Sequence, residues 1–435
     1  MDKLIVACIQ QRLRLPQSLD DHRRDLQRFL RAAQNKHARL VVFPELAGMM
    51  LALPLLADFR SGLLKRADRG RRRNASFWER VNGSLADSMA SMVRADLRTS
   101  VAGLVDVAAL ELWRTYVDLY GPLAREFGVT IVGPSAYLPD PLDGVVRNMA
   151  AVFGPSGEVL GTQAKVILHP EDEGLAQPGD SWSVIQTEVG RVGVMVGGDV
   201  LFPEVGRLLA SHGAEILVGM GACPDVALYN KVRAGMLARM QDNQLFGLVS
   251  FLVGDNQLGT DKRAPYVGKS AIFAPQELTP RYSGVLVEMG NQRSEGVLTA
   301  EWDFAALRDL WETSDTPLRR QLPSSQVNQL MASLYARVDN SEHLQLGADM
   351  AIPDDVRTLD DLPVVASVTS RWPLPQYILD EDDLDAAAVD DDWLDEWAPN
   401  KGPGDVHVDH DAKAVRFDEE TDEMDALPGS PRDEE

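Results

Sequence analysis

Polar and apolar positions along roughly the first 300 residues switch repeatedly between a period of two and a period near 3.6, and that alternation predicts strands interleaved with helices. Leu4 to Ile9 is a short apolar run of strand type. Ser18, with Asp21 three residues on, opens a helix in the manner of a capping box, and the pattern carries this helix to about Ala38. In RLVVFPEL, β-branched and aromatic residues form a strand that Pro44 must end, so Glu45 falls just past its carboxyl end. Carboxyl ends of buried strands are where α/β proteins place their chemistry.

Between Gly48 and Phe127 the strand pattern lapses and helical spacing replaces it, as in Met89, Met92, Val93 and Leu97 and again in Leu110, Leu112, Val117 and Leu119. Strand patterns resume at Val129 to Gly133 and at Met149 to Phe153. There Gly154-Pro155-Ser156-Gly157 makes a turn, and Val159 to Gly161 returns toward Lys165. Val192 to Gly197 is a strand, Pro203 starts a helix, and Ala214 to Val218 is a second buried strand. A helix over 227–244 and strands at Leu245 to Val253, Ser270 to Phe273, Val285 to Glu288 and Val297 to Trp302 follow. Such alternation predicts a layered α/β architecture. Past Asp303 the pattern changes, with one helix expected from Ser325 to Val338.

Charge divides the 435 residues more sharply than hydropathy does. From Asp380 onward there are 22 acidic and 4 basic residues, leaving the rest of the chain near neutrality at −5 of the total −23. A balanced body with an acidic tail gives no case for nucleic-acid binding and suggests a solvated or protein-binding extension, in which Trp393, Leu394 and Trp397 are candidate anchors. A basic cluster, Lys65 to Arg73, offers that tail a docking patch of opposite sign within the same chain. Two cysteines, Cys8 and Cys223, argue for a reducing compartment without a disulfide framework. The apolar runs at Leu4–Ile9 and Leu46–Phe59 are too short or too broken for a signal core or a membrane span, so a cytoplasmic location is expected. The seven histidines show no metal-ligand spacing, and no cofactor motif is seen.

Three segments carry candidate chemistry: Glu45 in VVFPEL, Lys165 in GTQAKVILHP with Glu173 eight residues on, and the block GVMVGGDVLFPEVGRLLASHGAEIL. Together with RNMAAVFGPSGEVLG, RMQDN at Arg239–Asn243 and VGKSAIFAP, they resemble the carbon-nitrogen hydrolase (nitrilase-like) superfamily over Leu4 to Asp303, apart from the helical insertion at about 50–127. The resemblance implies a four-layer αββα sandwich, paired into homodimers or larger homo-oligomers. It also implies a cysteine thiolate that attacks amide or nitrile carbon, with a carboxylate as general base and a lysine stabilising the developing charge. By position Glu45 takes the base role, Lys165 the oxyanion-stabilising role, and Glu173 is the second carboxylate; Asp199, Glu204 and Arg207 tie the following loop to its helix. Where the family has Cys-Tyr-Asp, this chain reads Gly197-Gly198-Asp199, and the spacing of 32 residues from Lys165 keeps Gly197 at the nucleophile position.

A glycine there implies thiol-dependent hydrolysis that is lost or altered, with a pocket still suited to a small amide-like or carboxylate ligand. Cys223, at the end of the next strand, is the candidate displaced nucleophile, and a water activated by Glu45 is the other route to an active enzyme. A non-enzymatic scaffold that binds partners through its insertion, C-terminal helix and tail is the competing reading. Taken singly, Glu45 could be a helix-start carboxylate and Lys165 with Glu173 a surface ion pair; their shared setting favours a pocket. The expected organisation is a catalytic-type domain over 1–310, an extension over 311–379 and an acidic tail over 380–435.

Overall fold

The computed structural model describes residues 2–52, 54, 55, 97–256, 265–316, 318 and 415–416. The expected helix at 325–338, the basic cluster at 65–73 and the tail anchors at 393–397 lie outside them, as do most of the insertion and all of the tail but Val415 and Arg416.

Two sheets share one long strand. The first holds β1 (Lys3–Arg12), β2 (Leu40–Val42), β3 (Thr130–Val132), β4 (Ala136–Pro139), β5 (Val146–Phe153) and β6 (Val159–Ala164), with β13 (Gly296–Asp303) and the short β14 (Val415–Arg416) on the far side of β1. The second holds β7 (Val184–Thr187), β8 (Gly190–Val196), β9 (Ile216–Ala222), β10 (Phe246–Val253), β11 (Ala271–Phe273) and β12 (Val285–Glu288). β1 runs parallel to β2 through Val6–Cys8 and then pairs with β10 at Gln11 and Arg12, joining the sheets at one end.

The two-residue period of the strands separates three cores. Leu4, Val6 and Cys8 of β1, Leu40 and Val42 of β2, and Val192, Val194 and Val196 of β8 all pack into one buried cluster between the sheets. Ala7, Ile9 and Val41 point the other way, against α1 (Leu19–Gln34) and α2 (Leu97–Phe127). Met195 and Leu217 face α3 (Pro203–Ser211) and α4 (Val226–Asn243) on the opposite outer side. Helix, sheet, sheet, helix is the four-layer αββα sandwich expected from the resemblance.

The local signals work where the chemistry is short-ranged. Ser18 caps α1 by accepting the Asp21 N–H at 3.1 Å, and the helix ends at Gln34, short of the expected Ala38 because His37 turns left-handed at φ 60°. Gly157 supplies the positive φ of 91° that closes the β5–β6 turn. In α2, Leu112, Tyr116, Leu119, Tyr120 and Leu123 form the buried stripe, whereas Leu110 is 57% exposed. The helix is irregular at Ala108, so the stripe predicted from Leu110 onward starts two residues later. A helix the pattern did not flag, α5 (Phe304–Thr313), follows β13 directly, its first turn capped by Asp303 accepting from the N–H groups of Ala305 and Ala306.

Candidate functional site

Glu45, Lys165, Gly197 and Cys223, scattered over 179 residues of sequence, meet at the carboxyl ends of four strands. Lys165 directly follows β6, Gly197 directly follows β8, Cys223 directly follows β9, and Glu45 stands three residues past β2. The next residue, Leu46, holds a left-handed φ of 58°, fixed by its N–H donating to Ser135 Oγ at 2.9 Å. A non-glycine residue in that region is strained, and such strain gathers at functional sites.

The centre is a buried ion triad. Lys165 Nζ donates to Glu45 Oε1 at 2.9 Å and to Asp172 Oδ2 at 2.6 Å, and all three side chains are almost fully enclosed. Asn148 Nδ2 bridges the same two carboxylates, at 3.2 Å to Glu45 Oε1 and 3.0 Å to Asp172 Oδ1. The Ala222 N–H, from the end of β9, donates to Glu45 Oε2 at 2.9 Å. Tyr137 and the His169 N–H add donors to Asp172. Burial disfavours the Lys165 charge, but the two carboxylates outweigh it and hold the ammonium above its ordinary pKa. The same ammonium holds Asp172 below the usual carboxylate range against the effect of its burial.

Asp172 therefore occupies the position assigned above to Glu173. Residues Pro170–Asp172 form a single tight turn in which the short Asp172 side chain folds back onto the His169 N–H; Glu173 leaves the turn with extended backbone and is exposed. One residue of register separates the two readings.

Gly197 faces the pair. Its φ of 55° is left-handed, and a Cβ built on it would lie 2.6 Å from Glu45 Oε1 and 2.8 Å from Lys165 Nζ. Whatever side chain stood at this position would project between carboxylate and ammonium; in this chain the wall there is backbone. These groups line one pocket, together with Cys223, Glu171, His169 and the apolar Leu46, Leu228 and Val232. Burial, reinforced by Glu45 and Asp225, pushes the Cys223 thiol well above its ordinary pKa. A thiol so placed resists becoming the thiolate that attacks carbon. Burial and, after it, Lys165 lower His169 below its ordinary pKa, against the opposing pull of Glu45, Asp172 and Asp225.

Asp199 is structural, in a different way from that expected. Its Oδ1 accepts the Ile167 N–H at 2.9 Å, tying the turn after β8 to the segment after Lys165, and burial raises its carboxyl to about 6. Arg207 donates to the Asp242 carbonyl at the end of α4. Glu204 is exposed. Asn148, Tyr137, Asp172, Glu171 and His169 were not singled out as site residues in the sequence. For Asp172 the short-range signal was present, since aspartate closes such turns onto the backbone more readily than glutamate.

Among the described residues no helix is long and apolar enough to cross a membrane. Residues 5–310 match the family model described as carbon-nitrogen hydrolase. An omega-amidase of Xenopus laevis is 32% identical over 216 residues, covering 47% of this chain and 71% of that protein. A probable hydrolase of Bacillus subtilis is 29% identical over 201 residues, covering 46% of this chain, and the match spans only 38% of the relative's own length. The crystal structure of a carbon-nitrogen hydrolase from Helicobacter pylori G27 superimposes with a TM-score of 0.54 at 19% identity, covering 76% of this chain and 98% of that one. At that identity the superposition speaks for the fold.

Proposed function

Because this chain belongs to the carbon-nitrogen hydrolase family, we propose that it binds a small amide-like ligand at the Glu45–Lys165–Asp172 triad and lacks the thiol-dependent hydrolysis that the resemblance implies. The observation that carries the reading is the environment of Gly197, whose missing side chain would stand within 3 Å of both Glu45 and Lys165.

The triad suits an amide. Lys165 can donate to a carbonyl oxygen, Glu45 can accept from the amide N–H, and the enclosure strengthens both interactions by excluding water. Three of the elements for acyl transfer are thus present: a carboxylate base, an oxyanion-stabilising cation and a backbone wall. The nucleophile is the missing one, and binding plus charge stabilisation supplies only a small part of a covalent mechanism.

An active enzyme using Cys223 is the second reading, supported by the position of that thiol on the cavity wall and opposed by its burial. Ammonia release from a panel of small amides and nitriles, measured for the parent chain, Cys223→Ser and Lys165→Ala, separates the two. The expected outcome is no release above buffer from any of the three, with calorimetric binding that Lys165→Ala abolishes. Turnover by the parent that Cys223→Ser removes establishes the displaced thiol; turnover that survives Cys223→Ser and is lost with Lys165→Ala establishes a water route through Glu45.

A further inference from the structure

β13 pairs with β1 along its whole length on one side, and on the other, among the described residues, β14 pairs with its first two residues. β14 comes from the acidic tail, with Val415 opposite Val297 and Arg416 opposite Gly296 in antiparallel register. The sequence around it, Ala412 to Phe417, holds two of the tail's four basic residues, Lys413 and Arg416, and no carboxylate. Directly behind it, six of the nine residues from Phe417 to Asp425 are acidic and none is basic.

The register fixes where that acidic run is aimed. One further step sets Phe417 opposite Glu295, and each residue beyond advances about 3.3 Å past the end of β1. Glu295 is buried there, and Arg14 Nη2 at 2.8 Å and Arg28 Nη2 at 2.6 Å both donate to its Oε1. Arg14 meets the carboxylate through that single nitrogen, and its side chain stays 39% exposed. The pocket beside this corner sets three guanidinium groups, Arg12, Arg14 and Arg28, against two carboxylates, Asp25 and Glu295. Positive charge is therefore in surplus where the tail arrives. Side-chain direction agrees: Val297 packs in the core on the α1 side, and Val415 opposite it shares that face. With a two-residue period Phe417 and Glu419 follow on the same face, toward Arg28 of α1 and its neighbour Arg14.

We propose that this corner is the docking site of the chain's own acidic tail: residues 412–417 add a strand to the edge of β13, and Glu419 closes an ion pair with the exposed side of Arg14. The main chain supplies the grip and the charges set the register, because a slip of one residue turns Val415 from the core and Glu419 from Arg14. Tethering makes a weak contact effective, since the segment meets its site at the high local concentration of an intramolecular reaction. The ion pair is partly exposed, so ionic strength governs it.

The test is amide hydrogen exchange of the full chain, read on the fragment spanning Gly296 to Thr299. Val415→Pro is expected to speed exchange there at least about fivefold, the size of one backbone hydrogen bond. Glu419→Gln and Arg14→Gln should each speed it about twofold to fivefold at low salt, and neither should do so in 1 M sodium chloride. The double variant Arg14→Gln with Glu419→Gln should exchange no faster than the faster single one, as residues acting through one contact do. Exchange in β9 stays unchanged throughout, which separates lost docking from lost folding. For the tether, Arg14→Cys with Glu419→Cys, treated with a short bismaleimide, should give a crosslink within one chain, since Cys8 and Cys223 are buried. Exchange indifferent to Val415→Pro, additive effects of the two charge variants, insensitivity to salt, or a crosslink that joins two chains each overturn the proposal.

Discussion

Restoring a thiol at Gly197 perturbs the site where the geometry is most informative. In Gly197→Cys the new Cβ would start 2.6 Å from Glu45 Oε1, so the carboxylate must withdraw by about 0.8 Å to reach ordinary contact distance. The backbone at φ 55° adds about 1–2 kcal/mol for a side chain in the left-handed region. Loosening one charged hydrogen bond of the triad adds about 1.5–3 kcal/mol at most. Both fit inside the roughly 5–15 kcal/mol that holds a typical domain folded, so the variant is expected to fold with a lowered unfolding midpoint. The new thiol would sit beside Lys165, whose charge favours the thiolate, and beside Glu45, which can take its proton. Removing the nucleophile from a comparable covalent enzyme costs about a millionfold, and imperfect placement should return only part of that. A gain of at least about a thousandfold in ammonia release over the parent is expected, with an acyl adduct on residue 197 by mass spectrometry. A Gly197→Cys chain that folds and binds amide yet forms no adduct would refute the reasoning, as would a parent chain that already matches its turnover.

Other perturbations follow from the same contacts. Lys165→Met leaves Glu45 and Asp172 buried without their cation and should cost about 3–5 kcal/mol in a denaturant titration. Asp172→Asn should cost about 1–3 kcal/mol, and Glu173→Gln, at the exposed neighbour, less than about 0.5 kcal/mol; the reverse ranking would restore Glu173 to the site. His22 is buried in α1 and its pKa is lowered by burial from 6.5 to about 4. The folded chain therefore binds fewer protons than the unfolded chain between pH 6.5 and 4, and stability falls on acidification through that window, by about 3 kcal/mol in full. Denaturant midpoints at pH 7 and pH 4 for the parent and for His22→Gln should show a smaller drop in the variant.

The layered fold was legible because its signals are local and repeated. Val6, Cys8, Val192, Val194 and Val196 alternate with residues that face outward, and Pro44 fixes where β2 must end and hence where Glu45 stands. The ends of β6 and β8 likewise placed Lys165 and Gly197, through the motifs that carry the family resemblance. What the sequence hid depends on one-residue differences in loops or on partners across the sheet. Glu171, Asp172 and Glu173 are three successive carboxylates, and only the backbone turn at Pro170–Asp172 decides that the middle one faces Lys165. Asn148 lies within a strand that reads as ordinary core, and its bridging of two carboxylates needs both other segments in place.

The most direct measurement is the intact mass of the parent chain, quenched in acid during incubation with a saturating small amide. The expected spectrum shows unmodified protein at every time point while calorimetry shows the same amide bound. An acyl adduct that builds up and decays, mapped by digestion to Cys223 or to any other residue, would contradict a site whose wall at Gly197 offers no nucleophile.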